Sequence, residues 1–253
     1  MADLKNKNII ITGASRGLGS EVAIAFSKSG AKLVLVARTK EDLEMIRKKC
    51  KDPKKHLSIA TDLTDARGIS KAIHEAKKFL VKIDCVLHVA GGGLGKRDPL
   101  IAWDDILLLF KLNVCAATEI NRLVLPDMIK HKQGNLVHIG SIAGKEAVAA
   151  VGYNTVKAAL NMYVRSLGRE MASSGVIVTG INPGGFLAPG NSMRRLKKNN
   201  PEAFKKFIEQ RMPREKLGDA SEMIPLLEFL CSKEASMMCG CMVPIDGGEG
   251  ITP

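Results

Sequence analysis

Residues 8–19 read NIIITGASRGLG, an apolar run that leads into glycines spaced Gly-x-x-x-Gly-x-Gly. Ile9, Ile10 and Ile11 predict a short buried strand, and a helical pattern of apolar residues continues to about residue 30. A strand, a glycine loop and a helix in this order are typical of a phosphate site. Glycine lets the backbone approach a pyrophosphate, and a helix N-terminus favours its negative charge. We therefore predict a dinucleotide site here.

The second predicted strand, residues 32–36, is followed by Ala37, Arg38 and Thr39. A site for NAD usually carries an acidic residue after this strand, whereas an arginine suits the 2′-phosphate of NADP. Arg38 takes that position, and Arg16 in the glycine loop supplies a second cation. Because the planar guanidinium matches phosphate geometry, the two arginines favour NADP(H).

A second group of residues has the composition of a proton-transfer site. Tyr153 and Lys157 are four positions apart, so on a helix they share a face. A nearby ammonium favours the phenolate and is expected to lower the tyrosine pKa. Ser141 follows an apolar run that predicts a strand, so its hydroxyl can face Tyr153 at a strand end.

Apolar runs alternate with helical stretches along the whole chain. This order predicts an α/β fold, a single-domain Rossmann fold with a doubly wound seven-stranded parallel sheet spanning residues 1–253. The predicted strands are at about 8–12, 32–36, 56–60, 83–89, 134–140, 175–181 and 241–245.

The chain resembles the short-chain dehydrogenase/reductase family, including its 3-oxoacyl-acyl-carrier-protein reductases, over nearly its whole length. The resemblance rests on seven pieces in the family's order and spacing. They are Thr12 to Gly19, Asp62-Leu63-Thr64, Asn113, Ser141, Tyr153 with Lys157, Asn182-Pro183-Gly184, and Asp246-Gly247-Gly248.

This resemblance implies roles for individual residues. Tyr153 would be the general acid/base, and Lys157 would lower its pKa and bind the nicotinamide ribose. Ser141 would orient the substrate oxygen, Asn113 would hold a water in a proton relay, and Asp62 would meet the adenine. The expected cofactor contacts are Gly13, Ser15, Arg16, Gly17, Leu18, Gly19, Arg38, Thr39, Asp62, Leu63, Ala90, Gly91, Tyr153, Lys157, Pro183, Gly184 and Phe186.

Three departures from the family pattern stand out. The family's Asn-Asn-Ala-Gly is here His88-Val89-Ala90-Gly91, so the structural bonds of an asparagine need replacement. Ala188 stands where a threonine is common, which leaves its cofactor contacts to the backbone or to Asn191 and Ser192. The run of glycines from 91 to 95 predicts close backbone approach or a mobile loop.

Composition excludes several classes of function. Hydrophobic residues are 45% of the 253-residue chain and charged residues 25%, as in an ordinary globule. Aromatic content is only 4%, and no nucleic-acid motif accompanies the net charge of +12. No apolar run approaches membrane-spanning length, so we expect a cytoplasmic protein. The six cysteines and five histidines do not cluster in the sequence, which predicts no metal site.

Residues 186–213 interrupt the alternation and are expected to form a substrate lid at the carboxyl edge of the sheet. The segment is basic, with Arg194, Arg195, Lys197 and Lys198 close together. Such charge suits an anionic, phosphorylated or carrier-bound substrate, while solvated helix faces remain the alternative.

The expected function is NADPH-dependent carbonyl reduction or alcohol oxidation on a small-molecule or carrier-linked substrate, such as a 3-oxoacyl thioester. One alternative is a phosphorylated or nucleotide-activated sugar in bacterial surface-glycan synthesis, and another is a non-catalytic NADP-binding regulator. A homotetramer, or at least a homodimer, is also expected, because two long helices carry excess apolar residues. These are Ile106, Leu107, Phe110, Val114, Leu160, Tyr163, Val164 and Leu167.

Overall fold

The computed structural model describes residues 4–252, and its centre is a seven-stranded parallel sheet. The strands are β1 (Asn8–Thr12), β2 (Lys32–Ala37), β3 (Leu57–Ala60), β4 (Cys85–His88), β5 (Gly134–Ile139), β6 (Val176–Pro183) and β9 (Met242–Ile245). Their order in the sheet is β3-β2-β1-β4-β5-β6-β9. This confirms the predicted fold class, and each strand lies within a few residues of its predicted place. The short strands β7 (Phe186–Leu187) and β8 (Gly218–Asp219) pair with each other outside this sheet.

Helices cover both faces of the sheet. They are α1 (Gly17–Lys28), α2 (Lys40–Lys49), α3 (Ala66–Leu80), α4 (Trp103–Phe110), α5 (Ala116–Lys130), α6 (Val151–Met171), α7 (Ser192–Asn199), α8 (Pro201–Arg211) and α9 (Ile224–Leu230). A π-helical turn, Lys111–Cys115, joins α4 to α5. No helix within residues 4–252 is both long enough and apolar enough to cross a membrane.

The first strand shows why an apolar run of this kind becomes a central strand. Ile9 and Ile11 enter the core beneath α1, α2 and α9, while Ile10 enters the core beneath α3, α5 and α6. All three side chains are 0% exposed. Burying each isoleucine contributes about 1.5–3 kcal/mol, so both faces of the strand select apolar residues.

Strand β1 lies between β2 and β4, so the strand order reverses there. In a sheet of this type the crevice at the carboxyl ends of the strands beside such a reversal is the ligand site. The loops after β1, β4, β5 and β6 therefore meet at one edge, and these are the loops that carry the predicted motifs.

The predicted lid region is partly helical. It contains β7, α7 and α8, and Pro201 begins α8 as its first residue. Asn191 and Asn200 cap the two helices, because their side-chain oxygens accept N–H bonds from Arg194 and Ala203.

Candidate active site

The glycine loop is packed too closely for any side chain at two of its positions. Gly13 has φ +68°, and a Cβ there would lie 2.8 Å from the backbone nitrogen of Ala90. A Cβ on Gly19 would meet the carbonyl of Gly13. Helix α1 therefore starts directly against β1 and β4. Its N-cap residue, Arg16, makes no side-chain capping bond, and the Gly17 N–H donates to the carbonyl of Pro189 at 2.9 Å. The N–H groups of Leu18 and Gly19 are therefore the ones in the first turn that could bind phosphate.

Arg16 and Arg38 are both exposed at this edge, and neither forms an ion pair within residues 4–252. Asp62 lies near Arg38. Its carboxylate accepts bonds from the backbone nitrogen of Thr64 at 2.9 Å and from the Thr64 hydroxyl at 2.8 Å. The bond from the Thr64 N–H is the largest cause of a lowered pKa for Asp62, and the charge of Arg38 adds to it.

The other residues expected at the cofactor site lie at or just after the ends of β1, β2, β3, β4 and β6, so they share the same edge of the sheet. Leu63 is a partial exception, because its side chain is 5% exposed and belongs to the core. The edge sites are Gly13, Ser15, Gly17, Leu18, Gly19, Thr39, Ala90, Gly91, Pro183, Gly184 and Phe186.

Helix α6 brings Tyr153 and Lys157 together on one face, as expected. The Tyr153 hydroxyl is hydrogen-bonded to the side chain of Ser141, and the Ser141 oxygen also accepts the backbone N–H of Ala143 at 3.1 Å. The Lys157 ammonium lies 5.6 Å from the centre of the Tyr153 ring. It donates to the carbonyl of Ile139 at 2.9 Å, so it is anchored to the end of β5.

The electrostatics of the pair differ from the expectation that Lys157 lowers the tyrosine pKa. Burial raises the pKa of Tyr153, and the bond to Ser141 opposes that rise. Burial also lowers the pKa of Lys157 to about 8. Both shifts have one physical cause, because dense surroundings disfavour phenolate and ammonium alike. Desolvation is the largest cause of both pKa shifts.

Asn113 lies in the π-helical turn, and its side chain is committed to the backbone. Its amide nitrogen donates to Leu109 at 3.0 Å and to the carbonyl of Gly92 at 3.1 Å, and its oxygen accepts the Gly92 N–H at 2.9 Å. A Cβ on Gly91 would lie 2.8 Å from that oxygen and 3.3 Å from the Lys157 ammonium. The glycine run thus serves close approach at this point.

His88 belongs to a buried polar network that takes the place of the family's asparagine. Its Nε2 donates to Oδ1 of Asn121 at 2.8 Å, while Nδ2 of Asn121 contacts Nε2 of His138 at 3.2 Å and the hydroxyl of Tyr163 at 3.0 Å. The two imidazole rings stack with centres 4.5 Å apart. The histidines are dispersed in the sequence, but strand register aligns His88 with His138, so these two meet in the fold. Burial lowers the pKa of His88 to about 4, so the network is uncharged at neutral pH.

Sequence reasoning missed an ion pair between a half-buried arginine and a buried glutamate, which connects the lid region to the rest of the site. Arg211, at the end of α8, lies 2.9 Å from the carboxylate of Glu249 and donates to the carbonyl of Val148 at 3.1 Å. Glu249 also accepts the backbone N–H of Gly185. Three segments distant in sequence thus meet at Arg211, and no local pattern signals such a contact.

Asn191 is committed to the lid itself, because it caps α7 and its amide nitrogen donates to the carbonyl of Phe186 at 2.6 Å. Asn191 is therefore poorly placed to make the cofactor contacts that the family's threonine at position 188 would supply. Among residues 4–252 no group of three or more His, Cys, Asp or Glu side chains could hold a metal ion.

Comparisons with known proteins agree with this geometry. A family model described as short chain dehydrogenase matches residues 7–199. The oxidoreductase UcpA of Escherichia coli is 30% identical, covering 98% of this chain and 96% of that protein. The 3-oxoacyl (acyl-carrier-protein) reductase FabG of Buchnera aphidicola is 28% identical over 98% of this chain and 99% of its own. The structure of L-sorbose reductase from Gluconobacter frateurii, complexed with NADPH and L-sorbose, superimposes with a TM-score of 0.89 at 26% identity and covers 100% of both chains.

Proposed function

The chain belongs to the short-chain dehydrogenase family of oxidoreductases, and we propose that it uses NADP(H) to interconvert a carbonyl compound and its alcohol. The observation that carries this proposal is the contact between Ser141 and Tyr153 with Lys157 on the next turn of α6. These groups lie at the same sheet edge as the glycine loop. The site is therefore arranged for proton transfer beside a dinucleotide.

The cofactor proposal rests on three features of this chain. The first turn of α1 has no side-chain cap, Gly13 and Gly19 leave no room for side chains, and Arg16 and Arg38 are exposed cations without ion-pair partners in the described chain. The first turn would bind the pyrophosphate, and the two arginines would bind the 2′-phosphate. That a sorbose reductase of the same fold was crystallised with NADPH supports this assignment. When bound, the dinucleotide supplies or accepts the hydride.

The chain's own residues handle the proton. In reduction, the Tyr153 hydroxyl donates its proton to the substrate oxygen as negative charge develops there. Ser141, held beside Tyr153, donates a second hydrogen bond to the same oxygen and stabilises that charge. The Lys157 ammonium favours the phenolate that remains, and the turn held by Asn113 is the place where a relay water would return the proton.

The substrate proposed first is a 3-oxoacyl thioester, and the relative named FabG supports it. The second is a phosphorylated or nucleotide-activated sugar. The observation that favours an anion is Arg194, an exposed residue in the first turn of α7 without an ion-pair partner in the part of the chain described. The likeness to a sorbose reductase supports a polyhydroxylated substrate. We also propose a cytoplasmic location, which the six free thiols suit.

The test is NADPH oxidation, followed at the nicotinamide absorbance, with 3-oxoacyl thioesters, keto-sugars, sugar phosphates and neutral ketones. Turnover of one class by the wild type, with none by Tyr153→Phe, is the expected result. NADPH binding without turnover of any carbonyl class would instead favour the non-catalytic regulator.

A further inference from the structure

The backbone of Ser141 is hydrogen-bonded to a buried asparagine, Asn182. The backbone N–H of Ser141 donates to Oδ1 of Asn182 at 3.0 Å. Asn182 lies in β6, next to β5 in the sheet, and its side chain is 0% exposed. Its amide nitrogen has no hydrogen-bond partner among the described residues. One end of this side chain therefore positions Ser141, while the other end is a buried donor that nothing in the described chain satisfies.

A second asparagine lies on the other side of the same turn. Asn161 is on α6, one helical turn after Lys157, and both its amide oxygen and its amide nitrogen are buried without a partner in residues 4–252. Buried amides of native proteins are nearly always hydrogen-bonded, so three unpaired atoms beside a reactive side chain require a physical explanation.

Two glycines on either side of Ser141 admit these amides. A Cβ on Gly140 would lie 2.8 Å from Oδ1 of Asn161 and would collide with Oδ1 of Asn182. A Cβ on Gly144 would lie 2.5 Å from Nδ2 of Asn161 and 2.7 Å from the carbonyl of Lys157. The turn from Gly140 to Gly144 is thus pressed against α6 on one side and β6 on the other, with an asparagine at each contact.

We propose that Asn161 and Asn182 are positioning residues for Ser141, acting as a pair that holds the turn from Gly140 to Gly144 at the distance from Tyr153 that catalysis needs. Oδ1 of Asn182 and Oδ1 of Asn161 both lie against Gly140, so the two amides border the same residue of the turn. The pair connects β6, the serine turn and α6, which carries Tyr153 and Lys157. This inference rests on the proposed function of the same site.

The expected signature is a change in the titration of Tyr153. The bond from Ser141 lowers the pKa of Tyr153, and Lys157 is the charged group against its ring. Both asparagines are neutral, so their removal changes no charge at the site. If the asparagines position Ser141, their loss should raise the Tyr153 pKa that limits kcat/KM. Loss of the Ser141 hydroxyl itself should raise the same pKa.

The experiment compares Asn182→Ala, Asn161→Ala and Ser141→Ala with the wild type. We expect kcat to fall roughly 10–100-fold in each asparagine variant, because displacement of a reacting group by about 1 Å has an effect of this size. The Kd for NADPH should change less than about two-fold, and the pH profile should move towards that of Ser141→Ala. In the Ser141→Ala background, Asn182→Ala should reduce kcat no further, since positioning an absent hydroxyl has no value.

Asn135→Ala is the matched control. Asn135 is another buried amide on β5, but its nitrogen donates to Leu230 and Ser232, far from the turn. The Asn135→Ala substitution should lower Tm while leaving kcat and the pH profile unchanged. Asn161→Leu keeps the volume without hydrogen bonding, and we expect it to stay impaired. Should Asn182→Ala fail to fold, the two Asn161 variants carry the same comparison.

The possible failures are distinguishable. Asparagine variants that behave like Asn135→Ala, beside an impaired Ser141→Ala, would contradict positioning and leave the proposed function intact. Normal activity in Asn161→Leu would show that Asn161 only fills space. Full activity in Ser141→Ala would contradict the proposed role of Ser141. It would also contradict the proposal that Asn161 and Asn182 position Ser141 for catalysis.

Discussion

At the scale of single residues, desolvation dominates the chemistry of the site. Tyr153 and Lys157 are both pushed towards their neutral forms, and a hydrogen bond from Ser141 acts against the shift on the tyrosine. Lys157 keeps most of its charge at pH 7, because a pKa of about 8 lies above that pH. The protein therefore holds a charged, buried lysine at a cost in stability.

Tyr153→Phe should abolish turnover while leaving NADPH binding nearly unchanged. The ring packs beside Gly93, where a Cβ would lie 3.7 Å from it, and phenylalanine keeps that contact. Loss of general acid catalysis removes roughly 10²–10⁴-fold in rate. Steady-state kinetics and fluorescence titration with NADPH measure the two properties. A variant with near-normal kcat would remove Tyr153 from the mechanism.

Lys157→Met should lose activity and gain stability at pH 7. The folded pKa of about 8 lies below the ordinary lysine pKa of 10.5, so the unfolded chain binds the extra proton between these values. Stability of the wild type should therefore rise with pH across this window, and the cost of the lysine is fully present below pH 8. The pKa shift of Lys157 corresponds to a gain of about 3 kcal/mol in the stability of Lys157→Met at pH 7. Loss of the hydrogen bond to Ile139 partly offsets this gain.

Thermal unfolding of both proteins between pH 7 and pH 10 tests this sign. The excess Tm of Lys157→Met should shrink as pH rises. An excess that is constant, or that grows with pH, would mean that Lys157 is not desolvated as the structure shows.

Arg38→Asp should reverse or erase the preference for NADPH over NADH. A lost charged contact to the 2′-phosphate weakens NADPH binding by about 1.5–3 kcal/mol, and Arg16→Ala should have a smaller effect in the same direction. The ratio of kcat/KM for the two cofactors is the measurement. Lys130→Asp, an exposed cation at the end of α5, is the control and should leave the ratio unchanged.

At the scale of elements, the lid region is anchored at both ends: the Pro189 carbonyl accepts the N–H of Gly17 at 2.9 Å near its start, and Arg211 is held near its end. Arg211 holds the end of α8 to Glu249 and Val148, whereas α7 has no buried residues. Burial raises the pKa of Glu249, and the N–H of Gly185 and the charge of Arg211 oppose that rise. A mobile lid over residues 186–213 stays a prediction, and α7 with the first turns of α8 is the part with the fewest contacts, because β7 pairs with β8 and Ala188 is buried.

Arg194→Glu should raise KM for anionic carbonyl substrates only, and the effect should weaken at high salt. Arg194 is the better probe, because the Arg195 guanidinium donates to the carbonyl of Gly190 and its loss would disturb the bend. Neutral ketones serve as the substrate control and Lys130→Glu as the charge control. Equal kinetics on both substrate classes would leave α7 as an ordinary solvated surface.

At the scale of the whole molecule, α4 and α6 carry apolar side chains that the single chain does not bury. Trp103 is 75% exposed, Met162 61% and Leu107 39%. Leu160 and Val164, which the sequence placed on this surface, are 4% and 0% exposed and belong to the core. Their burial corrects the expected interface, because the inward face of α6 packs on the sheet.

We predict a homotetramer, or at least a homodimer, that uses this face, since exposed apolar patches commonly mark interfaces. Light scattering at micromolar concentration should show the oligomer in the wild type and smaller particles in Trp103→Glu with Leu107→Glu. Met45→Glu, at a residue 56% exposed on α2, is the control and should not dissociate it. A monomeric wild type would contradict the prediction.

The sequence by itself determined three features of this protein. They are the succession of strands and helices along the chain, the glycine loop, and the set of Ser141, Tyr153 and Lys157. These features are encoded locally, by alternation of apolar residues, by glycine spacing and by the four-residue period of a helix. The tertiary structure alone decided the rest. Strand register stacked His88 on His138, and packing of α6 on β6 brought Asn161 to Asn182. The long-range contact of Arg211 with Glu249 and the desolvation of Lys157 arise in the same way, because burial and cross-chain distance are properties of the packed molecule.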